Sequence, residues 1–186
     1  MLKCDNGKKY EIILADPAWS YEDKALAGNR GAGCKYQVLS NYDVTRLNVE
    51  DLAADNCVLF MWVTFPKLQE GLDCVKAWGF TFKTVAFTWV KNYSNGNSFL
   101  GMGRWTRANA EICLLATKGK PKRIDAGVRQ IIESIPERHS KKPDEIRDRI
   151  VSLMGDLPRI ELFARERAKG WDAWGNEIKE ELVIDW

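Results

Sequence analysis

The chain has 186 residues, 45% of them hydrophobic and 29% charged, with 28 Lys and Arg against 26 Asp and Glu. That length suits one domain, residues 1–186, with a real core, and that balance excludes a disordered chain. The formal net charge of +2 is too small to argue for nucleic acid alone, and one histidine with five scattered cysteines excludes a His-rich or paired-cysteine metal site, so no metal is expected.

The N-terminal MLKCDNGKKYEII lacks a signal-peptide core, and no apolar run reaches the roughly 20 residues that span a bilayer; the expected location is the cytoplasm. EIILA (11–15) reads as a buried strand ending on Asp-Pro. Residues 22–42, glycine-punctuated and without periodicity, read as a long loop. DVTRLNVEDLAA (43–54) predicts a helix, and CVLFMWV (57–63) a second buried strand. PKLQEGLDCVKAWG (66–79) opens near Pro, repeats apolar residues at helical spacing and ends on Gly, which predicts a helix. FTFKTVAFTWV (80–90) is aromatic and β-branched, hence strand. NYSNGNSFLGMG (92–103) is a second long loop, AEICLLATKG (110–119) another strand, and a basic linker leads to QIIESI (130–135). KPDEIRDRIVSLMG (142–155) carries Pro and acidic residues in front and Gly behind, the signature of a helix. RIELFAR (159–165) reads as strand, GWDAWGNE (170–177) as a compact turn, and ELVIDW (181–186) as a last short strand or tail. Strands alternating with helices imply an α/β fold with a largely parallel sheet and a crevice at its strand ends.

The punctuation after the first strand has chemical content. Asp16 follows that strand and faces the crevice, while proline biases Asp16 toward extended backbone and fixes φ at Pro17. The Asp16 carboxylate and the Pro17 carbonyl are then two acceptors on a rigid turn, suited to a group with two N–H donors such as an exocyclic amine. Trp19 adds a flat face, and together they suit a flipped or single-stranded nucleobase. Asp-Pro is also an ordinary turn, so these residues alone leave both readings open.

Four blocks in order, ADPAW (15–19), GRWTRANAEICLLATKG (103–119), KKPDEIRDRI (141–150) and RIELFARERAKGWDAWGNE (159–177), resemble one family. It is the family of the mRNA N6-adenosine methyltransferase catalytic subunit and its bacterial and phage DNA adenine methyltransferase relatives. The resemblance covers nearly the whole chain. It implies a Rossmann-like S-adenosylmethionine-dependent methyltransferase with permuted motif order and adenine N6 as acceptor. Asp16 matches the family's catalytic aspartate, Pro17 the proline whose carbonyl takes the second amine hydrogen, and Trp19 the aromatic position. Lys142 matches a lysine near the donor. Glu161, Phe163 and Arg165 match the strand bordering the cofactor, and Asn176 and Glu177 the turn on its ribose. Ala18 stands where the family pattern has a second proline, which leaves the acceptor carbonyl and loosens the turn. No G-x-G-x-x-G loop is present, and the family's E-L-F-[AG]-R strand replaces it.

The small size resembles the bacterial and phage members, so the expected setting is a bacterial cell or phage-infected host, and DNA is favoured over RNA by analogy. Arg104, Arg107, Lys120, Lys122 and Arg123 are the candidate phosphate contacts, with the two long loops framing the nucleic acid. A homodimer fits so small an enzyme. A non-catalytic scaffold subunit and a cytosine-N4 methyltransferase stay open as alternatives.

Overall fold

The computed structural model describes residues 7–19, 41–103, 105–137 and 141–178. Seven strands form one sheet: β1 (Tyr10–Ala15), β2 (Ala53–Val63), β3 (Thr81–Lys91), β4 (Ala110–Lys118), β5 (Ile131–Ser134), β6 (Arg159–Leu162) and β7 (Asp172–Trp174), in the order β5-β3-β4-β2-β1-β6-β7. Among the described residues three α-helices accompany them: α1 (Asn41–Thr45), α2 (Leu68–Ala77) and α3 (Glu145–Met154). β1 runs parallel to β2 and β6, β6 to β7, and β3 to β5. β4 alone among them is reversed, antiparallel to both β2 and β3.

Both faces of the sheet are covered, which is why its central strands read as continuous apolar runs rather than as alternating ones. Along β1, β2 and β4, Ile13, Leu59, Met61 and Leu114 share one core with Cys74, Val75 and Trp78 of the α2 side. Ile12, Leu14, Phe60 and Cys113 share the other with Ile146, Ile150 and Met154 of α3. Cys57, Cys74 and Cys113 are fully buried, and burial pushes the Cys57 thiol up to about 12. They are packing residues, not nucleophiles.

Several elements depart from the sequence expectation. The helix expected over 43–54 breaks into α1 and a 3-10 turn (Val49–Leu52), because Ala53 already pairs with Tyr10 and pulls the chain into β2. The strand expected over 159–165 stops at Leu162, since Phe163 adopts φ +63° and cannot continue a ladder. The compact turn expected over 170–177 contains β7, a parallel edge strand. The helix expected from 142 begins at Glu145, because Pro143 biases Lys142 away from helical backbone. Within QIIESI, whose residues carry no clear period, Ile131–Ser134 forms β5. The connection from β3 to β4 carries no helix, so the two pair antiparallel; bridges Asn92 to Ser98 and Gly101 to Ala108 fold it back as a ribbon. The first long loop, apart from its α1 end, and the 181–186 tail lie outside the described residues. No helix among the described residues is long and apolar enough to cross a membrane.

Phe60 lies fully buried on β2, its ring 6.1 Å from that of Phe87 on β3. Phe60→Ala is expected to cost about 3–5 kcal/mol of unfolding free energy, read as a lower urea midpoint at unchanged slope.

Candidate active site

Because β4 is reversed, its first residues enter the sheet where the other strands leave it. One edge therefore collects Asp16 after β1, Lys91 at the end of β3, Glu111 near the start of β4, Phe163 and Arg165 after β6, and Gly175 after β7. Lys142 arrives from the extended segment before α3. A recess at this edge is lined by Asp16, Lys142, Glu161, Phe163 and Arg165, all anticipated from the sequence, together with Trp62 of β2.

Four alternating charges run from this recess along the sheet edge, Asp16, Lys142, Glu111 and Lys91. The Lys142 ammonium lies 2.9 Å from each Asp16 oxygen and 3.3 Å from Glu111 Oε2. Lys91 donates to the other Glu111 oxygen and lies 4.6 Å from the centre of the Trp89 ring. Burial pushes the Asp16 carboxyl above the ordinary aspartate range, and Glu111 adds to this; the Lys142 cation only partly offsets them. Burial opposes charge on Lys142, yet Asp16 and Glu111 outweigh it and hold the ammonium above its usual value. Burial likewise works against ionised Glu111, but Lys142 and Lys91 bring its carboxyl below the usual range. The Asp16 side chain keeps 27% of its surface exposed at the crevice.

The turn that carries Asp16 is held from several sides. Asp16 N–H donates to the Leu162 carbonyl at 3.4 Å, and Trp19 N–H to the Pro17 carbonyl at 2.9 Å. One Pro17 lone pair thus remains for an external donor. Trp19 is only 5% exposed, and its indole N–H donates to the Trp62 carbonyl at 3.1 Å. The ring expected to offer a stacking face is packed into the core beneath the turn.

Glu161 accepts two bonds from Arg147, at 2.7 Å and 3.2 Å, and burial still pushes its carboxyl up. Arg147 also holds Asp144 at 2.6 Å. The loops after β6 and β7 are locked together: Ala164 N–H donates to the Trp174 carbonyl at 2.8 Å, and the Phe163 and Trp174 rings meet edge-on at 5.3 Å. Gly175 sits so close that a Cβ there would lie 2.1 Å from the Ala164 carbonyl oxygen. Asn176 and Glu177 follow as exposed residues, Glu177 3.7 Å from Arg165. The left-handed Phe163, a bulky residue in a glycine-favouring conformation, marks a strained bend beside the recess.

Not every anticipated residue converges here. Lys120, Lys122 and Arg123 follow the C-terminal end of β4, at the opposite edge of the sheet, roughly 25 Å away by strand rise. Arg107 is exposed on the ribbon that returns to the start of β4, on the Asp16 side, and Arg104 lies outside the described residues. The same ribbon carries Trp105, 99% exposed, and Met102, 89% exposed. Glu111, Lys91 and Arg147 are not among the residues that the sequence marks for the site, and Trp62 reads from the sequence as core packing. The available signal was a carboxylate opening the apolar run AEICLLATK and lysine closing FTWVK. Trp62 Nε1 is a buried donor without a partner among the described residues. Among the described residues no group of three His, Cys, Asp or Glu stands together as a metal site.

A family model described as MT-A70 matches residues 10–177. The type II methyltransferase M.MunI of Mycoplasma sp is 36% identical over 194 residues, which cover 95% of this chain and 81% of that protein. The N(6)-adenosine-methyltransferase catalytic subunit METTL3 of Homo sapiens is 29% identical over 183 residues, covering 95% of this chain and 30% of that protein. The N(6)-adenosine-methyltransferase MT-A70-like protein of Drosophila melanogaster is 28% identical, and the chain spans 28% of its length.

Replacing Lys142 by Met removes the cation that tempers burial at Asp16. The Asp16 carboxyl midpoint, followed by 13C NMR titration, is expected to rise further above the ordinary value. The folded state then holds a proton to higher pH than the unfolded chain does. The variant's stability relative to wild type is therefore expected to fall as pH rises from the wild-type Asp16 midpoint, itself above the ordinary value, through the variant's higher midpoint, read from urea unfolding across that window.

Proposed function

The chain belongs to the MT-A70 family, and on that premise we propose that it transfers a methyl group from S-adenosylmethionine to N6 of adenine in nucleic acid, DNA in preference to RNA. The observation that carries this reading is the pair of acceptors at the crevice: the Asp16 carboxylate and the remaining lone pair of the Pro17 carbonyl, on a turn pinned to β6 and Trp62. A flat aryl amine is a poor nucleophile because its lone pair is delocalised into the ring. Acceptors on both of its hydrogens favour a pyramidal nitrogen and stabilise the positive charge that grows on it. Asp16 orients the amine and does not have to be a strong base, because the proton leaves readily once the nitrogen is alkylated. Holding the amine in line supplies much of the remainder.

The recess residues fit the cofactor. Its methionine end carries an amine, a carboxylate and a sulfonium. The recess offers Asp16 to the positive groups, with Glu161 lining it in the grip of Arg147, Lys142 and Arg165 to the carboxylate, and beside them the Trp62 indole N–H, unpartnered among the described residues. When bound, the cofactor supplies an electrophilic methyl group. Asn176 and Glu177, on the turn braced by Gly175, are the proposed ribose contacts, and Phe163 borders the pocket. The whole of 1–186 is read as one catalytic domain.

Adenine is preferred to cytosine because METTL3 is named an N(6)-adenosine methyltransferase. DNA is preferred because the chain is more similar to the type II methyltransferase M.MunI, at 36% identity, than to METTL3, at 29%. Arg107 and Trp105 on the exposed ribbon are the proposed nucleic-acid contacts on this edge, the tryptophan by base stacking. Lys120, Lys122 and Arg123 meet only phosphates that reach the far edge.

The test is transfer of a labelled methyl group to duplex DNA, single-stranded DNA and RNA, with nucleosides identified by mass after digestion. N6-methyladenine is expected, and Asp16→Ala is expected to lower the rate by at least about a hundredfold with the circular dichroism unchanged. Asp16→Ala at near-normal rate sinks the assignment; N4-methylcytosine as product replaces the acceptor. Trp105→Ala is expected to raise KM for the nucleic acid about tenfold or more at little-changed kcat, the loss of one stacked base at about 1–3 kcal/mol.

A further inference from the structure

Three N–H bonds on Lys142 have three acceptors in reach. Nζ is 2.9 Å from both Asp16 oxygens and 3.3 Å from Glu111 Oε2. The ammonium thus covers both oxygens of the carboxylate that an incoming amine has to use. Its side chain is 14% exposed, as is that of Glu111, so withdrawing it from Asp16 without another anion would leave a largely buried charge unpaired. Glu111 is that other anion. It belongs to β4, two strands from β1, and the ammonium reaches it across β2, 5.9 Å from the Trp62 ring centre. Lys91 binds the opposite Glu111 oxygen and leaves Oε2 directed at Lys142.

We propose that Glu111 is a positioning residue, the second seat onto which the Lys142 ammonium moves when an exocyclic amine takes up an Asp16 oxygen, with Lys91 holding Glu111 in place. This rests on the reading of Asp16 as the amine's acceptor. The movement is short, because the second contact is already within 3.3 Å. Charge stays balanced, because Lys91 and Lys142 face Glu111 and Asp16, two cations against two anions. A carboxamide at 111 keeps the shape and one oxygen but not the charge. It leaves Lys142 with Asp16 as its one carboxylate partner from the protein, and the amine then competes with a full ion pair for the acceptor.

The experiment compares wild type with Glu111→Gln at saturating S-adenosylmethionine, on whichever nucleic acid wild type methylates. The charged and titratable groups facing Asp16 are Lys142, Glu111, Arg165, Glu161 and the buried Cys113 thiol. The variant changes one of these. Expected are a kcat at least tenfold lower, a donor dissociation constant within twofold of wild type, and an acid limb of the kcat profile displaced to lower pH. On the protein alone, the Asp16 carboxyl midpoint by 13C NMR is expected to fall, since an anion leaves and the cation settles on Asp16.

If the single variant does not fold, Glu111→Gln with Lys91→Met keeps the cluster's net charge and is read the same way for kcat and donor binding. Wild-type kcat in a folded variant overturns the proposal. So does a loss of donor binding in proportion to kcat. An unmoved Asp16 midpoint overturns it whatever the activity, whereas a wild type inert on every acceptor sinks the methyltransferase reading instead.

Discussion

A lysine ammonium in a largely buried site has to be matched by negative charge, and Lys142 has to be matched at the mouth of a sheet whose strands end in different directions of the chain. Asp16 and Glu111 supply that match from β1 and β4, residues 95 apart in sequence by their numbers. Removing one partner of such a pair commonly costs about 3–5 kcal/mol, because the survivor stays buried and unpaired. Segments from β1, β3, β4 and the approach to α3 are therefore tied to one another through charge as well as through packing. The crevice edge is a cross-linked unit beside an apolar core.

The reversal of β4 makes this unit possible. Had β4 run with its neighbours, its acidic start would lie at the far edge and its basic end, Lys118 onward, at the crevice. Reversal places an anion where the lysines need one and sends the basic run away. The helix-free ribbon between β3 and β4 is the cause, since antiparallel neighbours need no crossover. The same ribbon places Trp105 and Arg107 near the crevice without any contribution from the core.

Local chemistry shapes the remaining wall. Pro143 keeps Lys142 out of α3, so the side chain projects from extended backbone instead of lying along a helix flank. Phe163 bends the chain off β6 in a conformation that costs energy and is held there by Trp174 and by the Ala164 backbone. Gly175 permits the contact that a side chain would block. Glu161, which the sequence placed beside Arg165 on one strand, is committed instead to Arg147 of α3. The bend at Phe163 is the reason, since it takes Arg165 out of the strand's alternation.

By itself the sequence determined the class of fold, the main strands and helices from β1 to α3, and the residues Asp16, Lys142, Glu161, Phe163 and Arg165 that line one recess. These were legible because apolar periodicity, proline and glycine act over a few neighbouring residues, and because the four motif blocks carry the family resemblance. Only the tertiary structure decided which strand is reversed, that Glu111 and Lys91 complete the charge chain, that Trp19 packs inward, and that Lys120, Lys122 and Arg123 lie at the far edge. Strand direction, ion pairing across a sheet and the burial of a ring depend on contacts between residues distant in the chain. No local pattern encodes the edge on which a strand begins.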